Sequence, residues 1–428
     1  MKRINYPQLN ETLYHEVLDN GLNVFMLPKK GFQKTYVTFS TNLGSLSTNI
    51  IIKDEEMDLP MGIAHFLEHK LFEQNGKDVS SVFARNQADV NAYTQHNRTT
   101  YLFSCTDNLI ANLDTLLNFV QNPDFTEAGI KKEIGIITQE IKMYEDDPGS
   151  VGYYGVIRSL FEKHPISNEI LGTVDSISTI TKEKLELVHK YFYNPNNMIM
   201  FITGNFEQNE IINHIKASNY IQKPRIVREK VILCANKDTY KKQSSTTLEV
   251  NIPTYLLGIK QPPVDINKEN IMKKELIYSI LSDMMLGKSS IYFKDLLSKG
   301  LVNDSFGMDI NFDRSFAYFL VGGESSKPEE LRKYLINIFK NIEGFEISEK
   351  DFLRTKKQII GGFIKSLNSL EAIASMFTKY YYYNSSLFDV LDIAKTITIK
   401  DIEDARVTLS NEDKFASFTI NPKKNDAV

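Results

Sequence analysis

Two histidines and a glutamate stand together in the run HFLEH. The surrounding stretch DLPMGIAHFLEHKLFEQNG predicts a helix, with Pro60 near its start and Gly76 just after its end. Residues four apart on a helix lie one above the other, so His65 and His69 would present two imidazoles to one point, with Glu68 beside them. Imidazoles are common ligands of metal ions, so the run could be a metal site. The alternative is a helix that carries two ordinary histidines.

A metal ion that hydrolyses bonds needs a third protein ligand and one open position. The helix predicted over EAGIKKEIGIITQEIKMYE carries Glu133 and Glu140, and their spacing of two turns places both on one face. Ile136, Ile137 and Met143 predict that this face packs against the core. A carboxylate turned toward a core needs a partner, and a metal ion would serve. Two ordinary exposed glutamates are the alternative.

The other histidines are weaker candidates for a third ligand, because their surroundings predict exposed positions on charged helices, in loops or beside a strand. They are His15, His96, His164, His189 and His214.

Length and composition indicate a globular protein of two or three domains. The chain has 428 residues, of which 42% are hydrophobic and 24% charged. A formal net charge of −4 gives no reason to expect nucleic acid or an acidic membrane as a partner. Cys105 and Cys234 lie far apart and form no metal-ligand pair, and so few cysteines in so long a chain argue against a disulfide framework. The N-terminus lacks an apolar leader segment, and no run is long enough to span a bilayer, so we predict a cytoplasmic location.

Strand-like and helical runs are mixed along the chain without strict alternation, which predicts an α+β fold. The strand-like runs are GLNVFMLP, KTYVTFSTN, TTYLFSC, NMIMFITGN, SSTTLEVNI, SFAYFLVGG and KFASFTINP. The clearest helical runs are DNLIANLDTLLNFVQ, EAGIKKEIGIITQEIKMYE and TKEKLELVHKYF.

The two halves of the chain repeat one plan. ISTITKEKLELVHKYFYNPNNMIMFITGN aligns without a gap with AKTITIKDIEDARVTLSNEDKFASFTINP, at an offset of about 217 residues. Each segment reads as a threonine cap, a helix, a turn and an apolar strand. We predict two homologous α+β domains at 1–220 and 231–428, joined by a linker at 221–230. The HFLEH motif occurs only in the first domain, so we expect the catalytic residues to lie in that domain alone.

His-x-x-Glu-His on one helix followed by Glu-x6-Glu on a later one resembles the pitrilysin/insulinase metallopeptidases, the inverzincins. The resemblance extends to DNGLNVFML, NAYTQHNRTTYLFSC and YNPNNMIMFITGN, and to the duplicated half-length plan. The resemblance implies that the fold forms half of a clamshell, which needs a second half to enclose its substrate. It also implies a zinc endopeptidase that acts on short extended peptides.

The resemblance also implies residue roles. His65, His69 and Glu140 would bind one zinc ion per chain, although this ligand set can also hold iron, cobalt or manganese. Glu68 would be the general base, and Glu133 would orient a ligand or water.

The peptide would add as a strand to an edge formed by Asn91 and Ala92 with Tyr93 beside them. For Tyr93 a plain strand residue is the alternative.

One motif of the family is missing. Many relatives carry, in the second domain, an arginine and a tyrosine seven residues apart that act on the substrate. Here Leu297 and Asn303 stand near those positions, and Lys294 and Lys299 lack the planar fork of a guanidinium. We therefore expect a heterodimer with a zinc-less homologous subunit that keeps the arginine and tyrosine, with a homodimer as the alternative.

Two other functions stay open at this point. One is a non-catalytic processing or scaffold subunit whose metal site is a relic, and the other is a metal-dependent peptide-binding protein with negligible turnover. The aromatic tract YYYYNSSLFD, which begins at Tyr380, is expected to pack rather than to line a cavity.

Overall fold

The structure is a computed structural model that describes residues 1–52, 55–161, 163–218 and 241–423. The predicted linker 221–230 and Cys234 lie outside these residues.

In the first half the strands are β1 Lys2–Tyr6, β2 Glu11–Val17, β3 Asn23–Pro28, β4 Thr35–Thr41, β5 Asn49–Ile52, β6 Glu55–Asp58, β7 Glu73–Gln74, β8 Lys77–Asp78, β9 Ala88–Thr94, β10 Thr99–Cys105 and β11 Met198–Gly204. The helices are α1 Ile63–Leu71, α2 Ser80–Arg85, α3 Leu109–Gln121, α4 Glu127–Glu145, α5 Pro148–Leu160, α6 Val174–Ser178, α7 Lys182–Phe192 and α8 Gln208–Ala217.

The second half continues the same mixture of strands and helices. Its strands are β12 Gln243–Leu248, β13 Thr254–Gln261, β14 Gly307–Phe312, β15 Ala317–Glu324 and β16 Phe415–Pro422. Its helices are α9 Ile271–Leu286, α10 Ile291–Ser298, α11 Pro328–Lys340, α12 Glu349–Ser366, α13 Leu370–Tyr381, α14 Val390–Thr396 and α15 Ile399–Thr408. The α+β class predicted from the sequence is confirmed.

Each half is built on one main sheet. The described strands of the first sheet run in the order β1-β2-β3-β11-β4-β10-β9, so β9 lies at an edge. Those of the second run in the order β12-β16-β13-β15-β14, which places β14 at the corresponding edge. Apart from the parallel pairs β3–β11 and β12–β16, neighbouring strands are antiparallel.

The predicted internal repeat is present in three dimensions. Helix α7 leads into the inner strand β11, and helix α15 leads into the inner strand β16. Thr181 and Thr398 cap these two helices, and each side chain accepts a hydrogen bond from the amide three residues on. In both segments, therefore, the helix begins at a threonine N-cap.

The two halves exchange a helix. Helix α5 of the first half packs on β13 and β16 of the second sheet, and helix α13 of the second half packs on β4 and β11 of the first. Phe377 of α13 lies between Phe25 and Phe201, with ring centroids 4.9 and 4.5 Å away. Each sheet thus buries one face against its own helices and the other against a helix of the opposite half.

The aromatic tract, which begins at Tyr380 near the end of α13, is largely packed, although Tyr381 and Tyr382 also line a pocket. Tyr383 is buried, and the hydroxyl of Tyr380 donates to Oε2 of Glu275 at 2.7 Å. The hydroxyl of Tyr382 donates to the carbonyl of Ser40 at 2.9 Å, which ties the tract to the first sheet.

The expectation that the remaining histidines lie at the surface is wrong for two of them. His164 and His189 are buried. Nδ1 of His164 accepts from the amide of Ile166, and Nε2 of His189 donates to the carbonyl of Val120 at 2.8 Å. Each ring therefore has at least one nitrogen in a hydrogen bond, which reduces the cost of burying it.

Among the described residues, no helix is both long and apolar enough to span a lipid bilayer.

Candidate active site

Helix α1 carries the HFLEH run, as predicted, and Gly62 sets its position. Gly62 has φ +86°, and a Cβ there would lie 2.2 Å from the carbonyl oxygen of Leu171. Only glycine fits both the backbone conformation and the close approach. The start of the helix can therefore rest against the segment that follows α5, and this fixes where the two histidines lie.

His65 and His69 face one another on one side of α1, with ring centroids 4.5 Å apart. Glu140 of the neighbouring helix α4 completes the group. Its Oε2 lies 3.8 Å from Nε2 of His65 and 3.6 Å from Nε2 of His69. Within the described chain, this is the one group of three histidine, cysteine, aspartate or glutamate side chains whose possible metal-ligating atoms all lie within 4.8 Å of one another. Tetrahedral zinc with bonds of about 2.0 Å holds donor atoms about 3.3 Å apart, so this donor set fits the ion with small movements.

Glu133 lies seven residues before Glu140 on α4, but it contacts the other ring nitrogen of His69. It is buried, and its Oε1 lies 2.9 Å from Nδ1 of His69. A carboxylate that accepts the proton of Nδ1 fixes the tautomer of a histidine and leaves Nε2 free to bind a metal ion.

Helix α4 packs by a narrower stripe than the sequence suggests. Ile137 is buried, but Ile136 is 45% exposed and Met143 62% exposed, so the expectation that all three pack against the core is wrong for two. Successive residues turn by about 100° around a helix. Ile136 and Met143 therefore lie beyond Glu140, on the side that turns to solvent, and Glu140 lies at the boundary.

The electrostatics of the donor group follow from burial and from Glu133. Burial lowers the pKa of His65 to about 3, with the charge of His69 adding to the effect, so His65 is neutral at physiological pH. Burial is the largest single effect on the pKa of His69 and acts to lower it, but the hydrogen bond to Glu133 and the charges of Glu133, Glu68 and Glu140 together outweigh burial and raise that pKa. Burial raises the pKa of Glu140, against the opposing charge of His69.

The sequence did not point to Thr94, which contacts Glu68. The Thr94 hydroxyl donates to Oε2 of Glu68 at 2.6 Å. Burial raises the pKa of the Glu68 carboxyl, and the Thr94 hydrogen bond acts in the opposite direction. The signal lay in the run NAYT, since side chains alternate along a strand and Thr94 must share the face of Ala92.

The three residues predicted to bind a peptide lie on the edge strand β9, but their side chains diverge. Ala92 packs on the same face of the sheet as the histidine helix. The side chain of Tyr93 points to the other face, where its hydroxyl is buried and has no hydrogen-bond partner among the described residues. Asn91 uses its side chain locally, because its Oδ1 accepts from the amide of Ala92 at 2.8 Å.

The backbone of Ala92 lies at the open edge of the sheet. The amide of Gln95 donates to the carbonyl of Arg98 at 2.8 Å and closes the turn after β9. Hydrogen-bonded and non-bonded pairs alternate along an antiparallel ladder, so Ala92, paired with Tyr101, directs its amide and carbonyl away from β10.

The residues near the expected positions of the family's arginine and tyrosine are exposed or hydrogen-bonded to neighbouring side chains. Leu297 is 53% exposed, and Nδ2 of Asn303 donates to Oε2 of Glu324 at 3.0 Å. Lys299 is paired with Oδ2 of Asp295 at 2.6 Å, and Lys294 is exposed.

Comparison with known proteins places this geometry in a family. Residues 54–174 match the model of the insulinase domain of peptidase family M16, and residues 179–359 match that of the peptidase M16 inactive domain. The uncharacterized zinc protease YmfH of Bacillus subtilis (strain 168) is 40% identical over 430 residues, which cover 99% of this chain and 100% of that protein.

Solved structures agree with the sequence matches. An M16-like peptidase from Alicyclobacillus acidocaldarius superimposes with a TM-score of 0.90 at 30% identity, covering 96% of this chain and 99% of that one. A protease from Helicobacter pylori has the same fold, with a TM-score of 0.80 at 19% identity, covering 96% and 99%. With both domains matched and the sequence motifs in place, the chain belongs to the peptidase M16 family of insulinase type.

Proposed function

We propose that this chain is a zinc-dependent endopeptidase that hydrolyses short, extended peptides. One observation carries the proposal: two imidazoles and one carboxylate converge, and a second carboxylate, Glu68, stands beside them. His65, His69 and Glu140 would hold the metal ion, and Glu133 would orient His69. The names of relatives such as YmfH, which call them zinc proteases, support the choice of zinc.

Zinc bound at such a site lowers the pKa of a bound water to about 7 and polarises the scissile carbonyl. Glu68 would carry out the proton transfers. Its carboxylate takes a proton from the attacking water and returns it to the leaving amine. Glu68 is buried, and the Thr94 hydroxyl donates a hydrogen bond to its Oε2, so the position of its carboxylate is set by the fold.

The open edge of β9 supports the choice of substrate. An extended peptide can add to this edge through the amide and carbonyl of Ala92, on the face of the sheet that carries α1. Such pairing uses the main chain, so it selects an unfolded conformation more than a sequence. The side chain of Asn91 would have to release the amide of Ala92 for the peptide to pair there.

Cleavage of a mixture of short unfolded peptides by the purified, zinc-loaded chain tests the proposal. Glu68→Gln should lower the rate by about 10²- to 10⁴-fold while the bound zinc is retained. Glu145→Gln, an exposed glutamate at the end of α4, serves as the matched control and should cleave like the unsubstituted chain. A Glu68→Gln variant that cleaves at full rate would refute this role. Peptides bound but not cut by the unsubstituted chain would favour the peptide-binding alternative.

We also propose that the active form is a heterodimer with a zinc-less homologous subunit. The support is the exposed Leu297 and the engaged Asn303, where many relatives have an arginine and a tyrosine. Mixing this chain with such a sister subunit should raise turnover by orders of magnitude. No rise on mixing, together with full activity of a homodimer, would overturn the idea.

A further inference from the structure

The turn 95–98, which joins β9 to β10, is held from both halves of the chain. On the side of the first half, the amide of Ser45 donates to the carbonyl of Gln95 at 3.1 Å, and the amide of Leu46 donates to that of His96 at 2.9 Å. Gly44 permits this approach, because a Cβ there would lie 2.4 Å from both of those carbonyl oxygens.

On the side of the second half, Tyr383 bridges two hairpin turns. Its hydroxyl accepts from Nδ2 of Asn97 at 2.9 Å and donates to Oδ2 of Asp313 at 2.6 Å. Asp313 lies in the turn between β14 and β15, which is the counterpart of the turn between β9 and β10 in the repeat. Tyr383 and Asp313 are both buried, so their hydrogen bonds are protected from competition with water.

A second chain of contacts runs in parallel. Nδ1 of His96 lies 2.9 Å from Oγ of Ser45, and its Nε2 lies 3.3 Å from the hydroxyl of Tyr153. The Tyr153 hydroxyl is 3.1 Å from that of Tyr318 in the second sheet. The ring of His96 also meets Phe316 edge-on, with centroids 6.3 Å apart.

Thr94 is the residue immediately before this turn. Its hydroxyl is 3.2 Å from Oγ1 of Thr99, which donates to the carbonyl of Leu43 at 2.9 Å. The position of the hydroxyl that contacts Glu68 is therefore set by how the turn is held. A shift of about 1 Å in such a group can cost about a hundredfold in rate.

We propose that the second half of the chain positions the catalytic carboxylate: Tyr383 holds the turn 95–98, and the turn holds Thr94 against Glu68. Thr94 and Tyr383 are positioning residues: Thr94 belongs to the edge strand β9 but acts here through the hydrogen bond from its hydroxyl to Glu68, and Tyr383 acts through the turn. The proposal rests on the proposed peptidase function, and it assigns to the non-metal half a role inside its own chain.

Four variants in the full chain test the proposal by kcat and KM for a cleaved peptide. Thr94→Val keeps the shape and removes the hydroxyl, and it should lower kcat about 10- to 100-fold with KM within about twofold. Thr94→Ser restores the hydroxyl and should stay within about threefold of the unsubstituted chain. Tyr383→Phe should lower kcat about three- to tenfold, also without a change in KM. Tyr380→Phe, which loses an equivalent tyrosine–carboxylate bond to Glu275 away from the turn, should leave kcat unchanged.

The double variant Thr94→Val with Tyr383→Phe distinguishes positioning from general damage. If Tyr383 acts through Thr94, its loss should have no further effect on kcat once the Thr94 hydroxyl is gone. Equal effects of Tyr383→Phe in both backgrounds, or a Thr94→Val variant with normal kcat, would overturn the proposal.

Amide hydrogen exchange gives a readout that does not depend on turnover. Tyr383→Phe should speed exchange in peptides that cover 88–99, and Tyr380→Phe should not. No cleavage by the zinc-loaded chain, either alone or mixed with a zinc-less homologous subunit, would count against the proposed function and with it against the role of Thr94. Unchanged exchange in Tyr383→Phe would instead count against the hold on the turn alone.

Discussion

Nδ1 of His69 lies 2.9 Å from Oε1 of the buried Glu133, so Nε2, the opposite ring nitrogen, is the one that faces Glu140. This contact orients the ring of His69 so that Nε2 is available as a metal ligand. We predict that Glu133→Ala lowers zinc affinity about 10- to 100-fold. Glu133→Gln should cost less, because its carboxamide oxygen still accepts a hydrogen bond. Competition with a chelator measures the affinities, and equal affinity in the Ala variant would contradict the prediction.

Removal of metal should abolish cleavage and lower thermal stability together. His65, His69 and Glu140 come together only in the folded chain, so zinc bound by them would stabilise the native state, by about 2.7 kcal/mol at a hundred times Kd. Added zinc should raise the Tm of the metal-free chain and should not raise that of His65→Ala. Equal increases in both proteins would show that the ion binds elsewhere.

His96 predicts a loss of stability in acid. Burial lowers its pKa to about 4, against the opposing charge of Asp313 and with a smaller contribution from His164. A histidine with a lowered native pKa favours folding fully above its unfolded pKa of about 6.5, and this contribution is lost as the pH falls from 6.5 to 4.

The full contribution of His96 is on the order of 3 kcal/mol. His96→Gln should therefore flatten part of the decline in Tm between pH 7 and pH 4.5. Parallel declines in the His96→Gln and unsubstituted chains would contradict the prediction.

The exchanged helices should make the two halves unfold together. Phe377→Ala removes a buried ring that packs on the opposite half's sheet, which should cost about 3–5 kcal/mol. Calorimetry should show one transition, shifted as a whole to lower temperature. Leu353→Ala, at an exposed site on α12, should barely move it. Two separate transitions, with only one of them shifted, would show that the halves are independent.

Several helices and strands, and the group of side chains proposed to bind a metal ion, could be predicted from the sequence. HFLEH lies on a helix, His65 and His69 meet because of helical periodicity, and the repeat of a threonine cap, helix and strand appears in both halves. These features follow from spacing along one element, and local propensity and period decide such spacing.

The tertiary structure alone decided which element meets which. Sequence periodicity placed Glu133 and Glu140 on one face, but only the packing of α4 against α1 assigned Glu140 to the histidines' Nε2 atoms and Glu133 to Nδ1 of His69. The contact of Thr94 with Glu68 joins residues 26 apart in the chain, and the bridge from Asn97 to Tyr383 joins residues 286 apart. Hydrogen bonds between distant segments depend on how the sheets and exchanged helices pack, and no local pattern in the sequence encodes that arrangement.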